Sequence, residues 1–558
     1  MEEKESHNFL GKNRWTIILL IFSAPGIVFS VWGFSIGNNC KILSSFYDTF
    51  QLFILHHTFA EGMPWQLEVG RWLIFAAFLW LSFRLFFEIL APEFIKTQVI
   101  KCFYRNHIVI CGLNKITINL IEKFDKEKII VLTEETNQYA ETLKTRGKKL
   151  LIGDFADESF WYKAKLKEAG KLYAIIDDEK INIKIAQSVF SYLEKSKRDN
   201  DALKCFTLIK DRELKTILEE SALFKYKTDF FDGILFNISE MGIKYGIGMN
   251  IDHILSAKMG TAPEILLVGM TEKTEIALLN LVHCLTMKGE SFRFTIAEEN
   301  PEKISLFEKR CEKLHLRDFA EIGVSDSRLE KICTDKTFDS ILVCVENQTD
   351  AIKKAVEIRY LLGKNEPNIV VFCNDSDTFN KILNTEGKLN EKGEKEIFPL
   401  KDRNIFLINL MEEIAGYVFV LDTFIEKKAI MAHDFWNKLY GEKKEYDKMS
   451  GHFRQTNRNQ ILDNFLRTFI ATGKSFSVAQ EHLVSFADSD REILAMMEHR
   501  RWMIEKYENG WQTGKRIKPD EFKRHDCLIM WNELPENQKK KDFDAIDLMV
   551  HLINSPQK

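Results

Sequence analysis

"HIVICGLNKITINLI" (residues 107–121) decides the fold. The run Ile108 to Cys111 is apolar and β-branched, it breaks at Gly112, and Ile116, Leu120 and Ile121 then recur at helical spacing. A strand, a tight turn and a helix in that order are the unit of a parallel sheet. From residue 106 to about 395 such units follow one another, and they do so twice. "HIVICGL" (107–113) is echoed by "EILLVGM" (264–270), "IIVLTEE" by "FRFTIAEE", "YAIIDDEKIN" by "SILVCVENQTD" and "CFTLIKD" by "IVVFCND". The expectation is two α/β domains in tandem.

In the Rossmann fold, this first turn meets the pyrophosphate of a dinucleotide through three glycines. One makes the turn, one lets backbone approach the phosphates, and one lets the helix pack closely. Only Gly112 is kept; Asn114 and Thr117 stand in the other two places, and "LTEE" after the second strand puts Thr133 before Glu134. In the second copy Gly269 is followed by Thr271 and Thr274, with Glu298 after its second strand. Strict NAD chemistry is therefore not expected. Asn tolerates a left-handed turn and Thr offers a hydroxyl, so Gly112, Asn114, Glu134, Asp154 and Asp177 stand as candidate nucleotide contacts of the first copy. No nucleophile, catalytic His/Lys/Tyr set or metal cluster accompanies them, so neither an enzyme nor a metal site is expected.

Upstream lie two apolar runs. "WTIILLIFSAPGIVFSVWGFSI" (15–36) has no charge in 22 positions, and "WLIFAAFLWLSFRLFFEILA" (72–91) has only Arg84 and Glu88, one helical turn apart. Both read as transmembrane helices, and the second argues against the first being a cleaved signal. Lys4, Lys12 and Arg14 precede the first run and Lys96, Lys101 and Arg105 follow the second, which places both termini in the cytoplasm and the protein in the cell inner membrane. Between them "SSFYDTFQLFILHHTF" (44–59) is apolar at helical spacing but too short to span. It is either a re-entrant pore helix, with Phe50 and Phe53 as candidate pore residues, or an amphipathic helix on the outer surface. The following "AEGMPWQLEVGR" lacks the carbonyl-filter run of potassium channels.

"GDFADESF" (Gly153, Asp154) after the third strand and "DDEKIN" (Asp177–Asn182) after the fourth resemble the NAD-binding domain of Trk-type potassium uptake regulators, the RCK family. That resemblance implies a ligand crevice at the sheet's carboxyl ends and a role in gating ion flow. Near the C-terminus "EHRRW" (498–502), Gly510–Trp511, His525, Leu528, "ELP" (533–535) and Lys541–Asp542 resemble the ryanodine-receptor (RyR) repeat, and Arg454, Asn457 and Arg458 resemble the helix that precedes it. A histidine–proline pair usual in that repeat is His525–Asp526 here. The resemblance implies a nucleotide-sensing module. Two indoles near a cation and histidines can sandwich a purine and pair its phosphate, so His499, Arg501, Trp502, Trp511 and His525 are the candidate ligand residues; alternatively the tryptophans knit a small core.

The 78 basic and 82 acidic residues are interspersed, with a net charge of −4, which argues against nucleic acid as a partner. Ten cysteines without C-x-x-C spacing read as free thiols in a reducing compartment. The expected architecture is a two-span membrane domain (1–105), a first (106–250) and a second (251–400) Rossmann-like domain, and an all-helical RyR-like domain (401–558). The expected function is a nucleotide-gated channel or channel-like effector, its partners the bilayer, a small purine nucleotide and copies of itself in a homotetramer. Alternatives are an antiviral effector that depolarises the cell on binding an infection-induced nucleotide, a potassium-transport regulator, and a membrane-tethered nucleotide-processing enzyme.

Overall fold

The computed structural model describes residues 19, 21–36, 42–53, 64–85, 92–196, 198, 201–255, 262–363, 366–374, 404–420, 424–441, 445–479, 483–516 and 523–554. The chain forms two compact units, Met1–Phe103 and Tyr104–Lys558.

The described part of the first unit is helical: residues 21–36, then Ile42–Phe53, Trp65–Leu85 and Pro92–Phe103. Small residues let helices 21–36 and Trp65–Leu85 touch. A Cβ on Gly33 would meet Leu67 Cβ at 2.7 Å, and one on Gly70 would collide with Ser30 Oγ. Phe34, Leu52, Leu67 and Ile74 make a small core.

The expected second span is displaced. Its helix starts at Trp65, so its first two turns take in Glu68 and Arg71, which pair at 2.8 Å. With those charges inside it, the helix is less apolar than the run 72–91, and among the described residues no helix is long and apolar enough to cross a membrane. The short helix between the apolar runs is Ile42–Phe53, and Phe50 on it is exposed. Glu88 and the side chains of Phe53 and Arg84 lie outside the described residues.

The second unit opens with six parallel strands: β1 (Ile108–Cys111), β2 (Ile129–Thr133), β3 (Lys149–Ile152), β4 (Lys171–Ala174), β5 (Leu203–Leu208) and β6 (Phe231–Phe236). Their order is β3-β2-β1-β4-β5-β6, the doubly wound arrangement. A second sheet repeats it as β9-β8-β7-β10-β11-β12, from β7 (Glu264–Val268), β8 (Arg293–Ala297), β9 (Glu321–Ser325), β10 (Ser340–Val343), β11 (Asn368–Cys373) and β12 (Ile405–Asn409). Because β12 pairs with β11, the second domain runs past residue 400, where the sequence placed its end. The central strands β1, β2 and β10 are buried at every position, which explains why they read as unbroken apolar runs rather than alternating ones.

The two sheets exchange helices. Helix Ile238–Met249, which leaves β6, packs on helix Glu272–Leu281 of the second domain, while helix Leu410–Val420, which leaves β12, packs on helix Lys115–Lys123 of the first. Asn119 Nδ2 donates to the Met411 carbonyl at 3.2 Å across that contact. The two exchanged helices also touch each other so closely that a Cβ on Gly242 would lie 3.2 Å from the Leu410 carbonyl oxygen.

Four long helices follow: Glu426–Tyr440, Gly451–Thr472, Asp488–Glu508 and Glu536–Asn554. The C-terminal region is not wholly helical, since β13 (Gln512–Thr513) and β14 (Arg524–His525) pair in parallel and bring His525 back towards helix Asp488–Glu508. Its core is continuous with that of the second α/β domain: Leu494, Met497, Met503, Trp511, Trp531 and Met549 belong to the same buried cluster as Phe292, Phe294 and Phe319.

Candidate functional site

The carboxyl edge of the first sheet carries all five residues assigned to it, but its turn is filled by its own side chains. Gly112 sits at φ +114, a conformation that favours glycine, and a Cβ there would also approach the Ile175 backbone at 3.2 Å. Asn114 caps helix Lys115–Lys123: its Oδ1 accepts from Thr117 N at 3.1 Å, Thr117 Oγ1 accepts from Asn114 N at 3.4 Å, and Asn114 Nδ2 donates to the Ile175 carbonyl at 2.6 Å. Thr117 Oγ1 donates to Gly112 O at 2.8 Å. Asn114 thus ties the turn after β1 to the loop after β4, and Thr117 closes the turn on itself. Asp154 accepts from Ala156 N at 2.7 Å and Asp177 lies 3.6 Å from Lys210, both out in solvent. Glu134 is exposed.

In the second copy the closure goes further. Thr271 Oγ1 donates to Cys344 O and Thr274 Oγ1 to Gly269 O, each at 2.5 Å. Glu298, placed where an acid would hold ribose hydroxyls, accepts from Met270 N at 2.9 Å and from Asn300 N at 3.0 Å. The buried Lys273 ammonium donates to the carbonyls of Val345 (3.3 Å), Glu346 (3.5 Å) and Phe372 (3.3 Å) across the ends of β10 and β11. A cation is built into the crevice itself.

The C-terminal region differs. A cavity of about 290 Å³ is lined by His499, Arg501, Trp502 and His525 together with Trp436, Asn457, Gln460, Glu498, Gln538, Lys541 and Asp542. Helix Asp488–Glu508 sets the first three on adjoining turns. Trp502 is half-buried; its ring stacks on His499 at 5.8 Å and meets His525 edge-on at 5.0 Å. His499 donates from Nε2 to the Ile529 carbonyl at 2.9 Å and turns Nδ1 to Asp542 at 3.3 Å. Burial pushes the Asp542 carboxyl up from its ordinary value, with His499 opposing. Trp511 does not line the cavity: it is core, with the Lys506 ammonium 4.7 Å from its ring. For this tryptophan the packing alternative holds.

Arg501, the expected phosphate contact, is held by carboxylates. Its Nε and Nη2 donate to the two oxygens of Glu498 at 2.8 and 2.9 Å, and its Nη1 donates to Glu505 at 2.5 Å. Arg467 pairs with Glu498 at 2.9 Å and with Asp463 at 2.7 Å, and Asp463 meets His283 of the second α/β domain at 2.7 Å. The Arg501 guanidinium beside Glu505 holds that buried carboxyl down to about 2. One turn on, Glu508 pairs at 3.1 Å with Arg212 of the first α/β domain, whose other nitrogen lies 3.3 Å from Glu275 of the second. A single helix therefore joins the cavity wall to both sheets.

Residues 108–222 match the family model of the TrkA-N domain, and residues 477–555 match that of the RyR domain. The chain carries a TrkA-N domain and a RyR domain. Among solved structures it is similar to the GsuK channel (14% identity over 74% of this chain and 99% of that one, TM-score 0.38). It is also similar to the GsuK channel bound to NAD (13%, 76% and 86%, 0.36) and to the human SLO3 gating ring (9%, 57% and 83%, 0.37). No curated protein matches the chain.

Among the lining residues to which the sequence assigned no ligand role are Trp436, Asn457, Gln538 and Lys541. Asn457 and Lys541 stand in the motif without a role. Trp436 precedes the RyR match, on helix Glu426–Tyr440, and no spacing along the chain ties it to Trp502.

Proposed function

We propose that the chain is a ligand-gated regulator of ion flow at a membrane, in which a purine nucleotide binds the RyR domain and the paired α/β domains pass the event on. One observation carries the reading: the half-buried Trp502 indole, flanked by two imidazoles, forms part of the wall of a cavity of about 290 Å³, of the size and aromatic lining that small ligands use. No bond is made or broken. Occupancy favours one position of helix Asp488–Glu508, and the Glu508–Arg212–Glu275 link biases the packing of the two sheets.

The first unit supplies the membrane contact in this reading. Its helices expose Ile21, Val28, Trp32, Trp65, Trp72, Phe78, Leu81 and Phe83, more apolar surface than a solvated face carries, and tryptophans of this kind suit a lipid interface. The unit lies in the cell inner membrane with both termini cytoplasmic, and four copies surround one axis. The test is ion flux from vesicles holding the purified full chain, with adenine and guanine nucleotides added outside and inside. A nucleotide-dependent flux lost in Trp502→Ala is expected; absence of flux with every nucleotide, from protein shown to be inserted, overturns the reading.

A further inference from the structure

We infer that the RyR-domain cavity takes its ligand ring first, reads the ring through the neutral amides of Asn457 and Gln538, and leaves any phosphate at the mouth beside Lys541. The inference rests on the purine reading of this cavity and specifies which end of the ligand the protein selects.

Charge inside the cavity decides the orientation. Arg501 lines it, yet all three of its guanidinium nitrogens are held by Glu498 and Glu505 at 2.5 to 2.9 Å. Besides Arg501, the interior charges are the carboxyls of Glu498 and Asp542. A phosphate brought inside would face those two acids and would have to break a buried bidentate pair to find a cation, which is costly on both counts. An uncharged ring meets neither obstacle.

The unused hydrogen-bonding capacity points the same way. Glu498 is taken by Arg501, Arg467 and Gln460, and Asp542 by His499. Asn457 on helix Gly451–Thr472 and Gln538 on helix Glu536–Asn554 also line the cavity, and among the described residues their side-chain amides make no hydrogen bond. Each amide offers donors and an acceptor together, the combination that pairs with the edge of a heterocyclic base. Trp436 and Trp502 supply aromatic wall. Lys541, exposed and 6.0 Å from the Tyr440 ring, is the lining cation that carries no ion pair among the described residues.

The experiment is calorimetry on the purified full chain with adenosine, guanosine and their 5′-mono- and triphosphates. For the preferred base, the nucleoside should bind within about tenfold of the triphosphate, since ring contacts dominate. Asn457→Leu and Gln538→Leu should each weaken nucleoside and triphosphate alike by about tenfold, the effect of one lost hydrogen bond. Lys541→Ala should weaken the triphosphate a few-fold and leave the nucleoside unchanged. A triphosphate more than about a hundredfold tighter than its nucleoside, or amide variants that bind normally with an unchanged melting temperature, overturns the ring-first inference while leaving the purine site. Failure of all six compounds to bind the folded protein overturns the purine reading and this inference with it.

Discussion

At the carboxyl edge of the TrkA-N domain, Asn114 and Thr117 direct their hydrogen bonds back onto their own turn and onto Ile175, whereas Asn457, just before the RyR match, and Gln538 within it line a cavity and make none among the described residues. Both pairs are polar side chains near a candidate ligand site. The difference is where the partners come from. A polar group satisfied by backbone is part of the architecture, and removing it costs stability; one that lines a cavity without a protein partner is available to something that binds. Arg501 falls on the architectural side although it lines the cavity, because Glu498 and Glu505 already hold it.

The largest effect should come from that arginine. Arg501→Ala leaves Glu498 and Glu505 buried with one fewer cation, and the expected loss is about 3–5 kcal/mol of stability by chemical denaturation of the full chain. A loss under about 1 kcal/mol, the value of a solvated surface pair, would mean that Arg501 is free to meet a ligand and is not part of the architecture. Next in size is His107, at the start of β1, whose Nε2 donates to Ala164 O at 3.0 Å. Burial pushes this imidazole down to about 4. The folded state therefore prefers it neutral, so its contribution is present above about pH 6.5 and is lost as pH falls through 4, amounting to ~3 kcal/mol. His107→Phe should flatten the stability profile between pH 7 and 4; an unchanged slope would show that His107 is solvated. A smaller loss is expected for Lys273→Met, which removes the ammonium shared by three carbonyls: about 1.5–3 kcal/mol. Little or no loss there would return the second crevice to the list of open sites.

The sheets were legible because burial on both faces writes each central strand as an unbroken apolar run and each turn as a glycine, at 112 and again at 269. Repetition then gave the second sheet from the first. The sixth strand of the second domain was missed because Ile405–Asn409 follows a polar stretch and pairs with β11 from a distance in sequence. In the RyR domain the motif brings His499, Arg501, Trp502 and His525 to the cavity, but Arg501 is already held by carboxylates there and Trp511 is core. Motif spacing records which residues lie near each other, not which carboxylate already holds a cation, nor whether an indole faces space or core. The start of the second apolar run was misread: apolarity begins at Trp72, but the helix extends back to Trp65 and carries the Glu68–Arg71 pair with it.

The smallest expected effect is no effect, and it tests the other side of the comparison. NAD(H) should not change the melting temperature of the full chain at about 1 mM. A ligand at a hundred times its Kd adds about 2.7 kcal/mol, so even a Kd near 10 μM would be visible. A pyrophosphate needs the backbone N–H groups at the turn, and in the TrkA-N domain Gly112 N donates to Leu132 O, Asn114 N to Thr117 Oγ1 and Thr117 N to Asn114 Oδ1. Binding would have to strip the cap from helix Lys115–Lys123, at about 1 kcal/mol, and also break the Asn114–Ile175 bond. A stabilisation by NAD(H) that disappears in Asp154→Ala would show that the cap opens on demand, and would make the filled turn a gate rather than a replacement for the ligand.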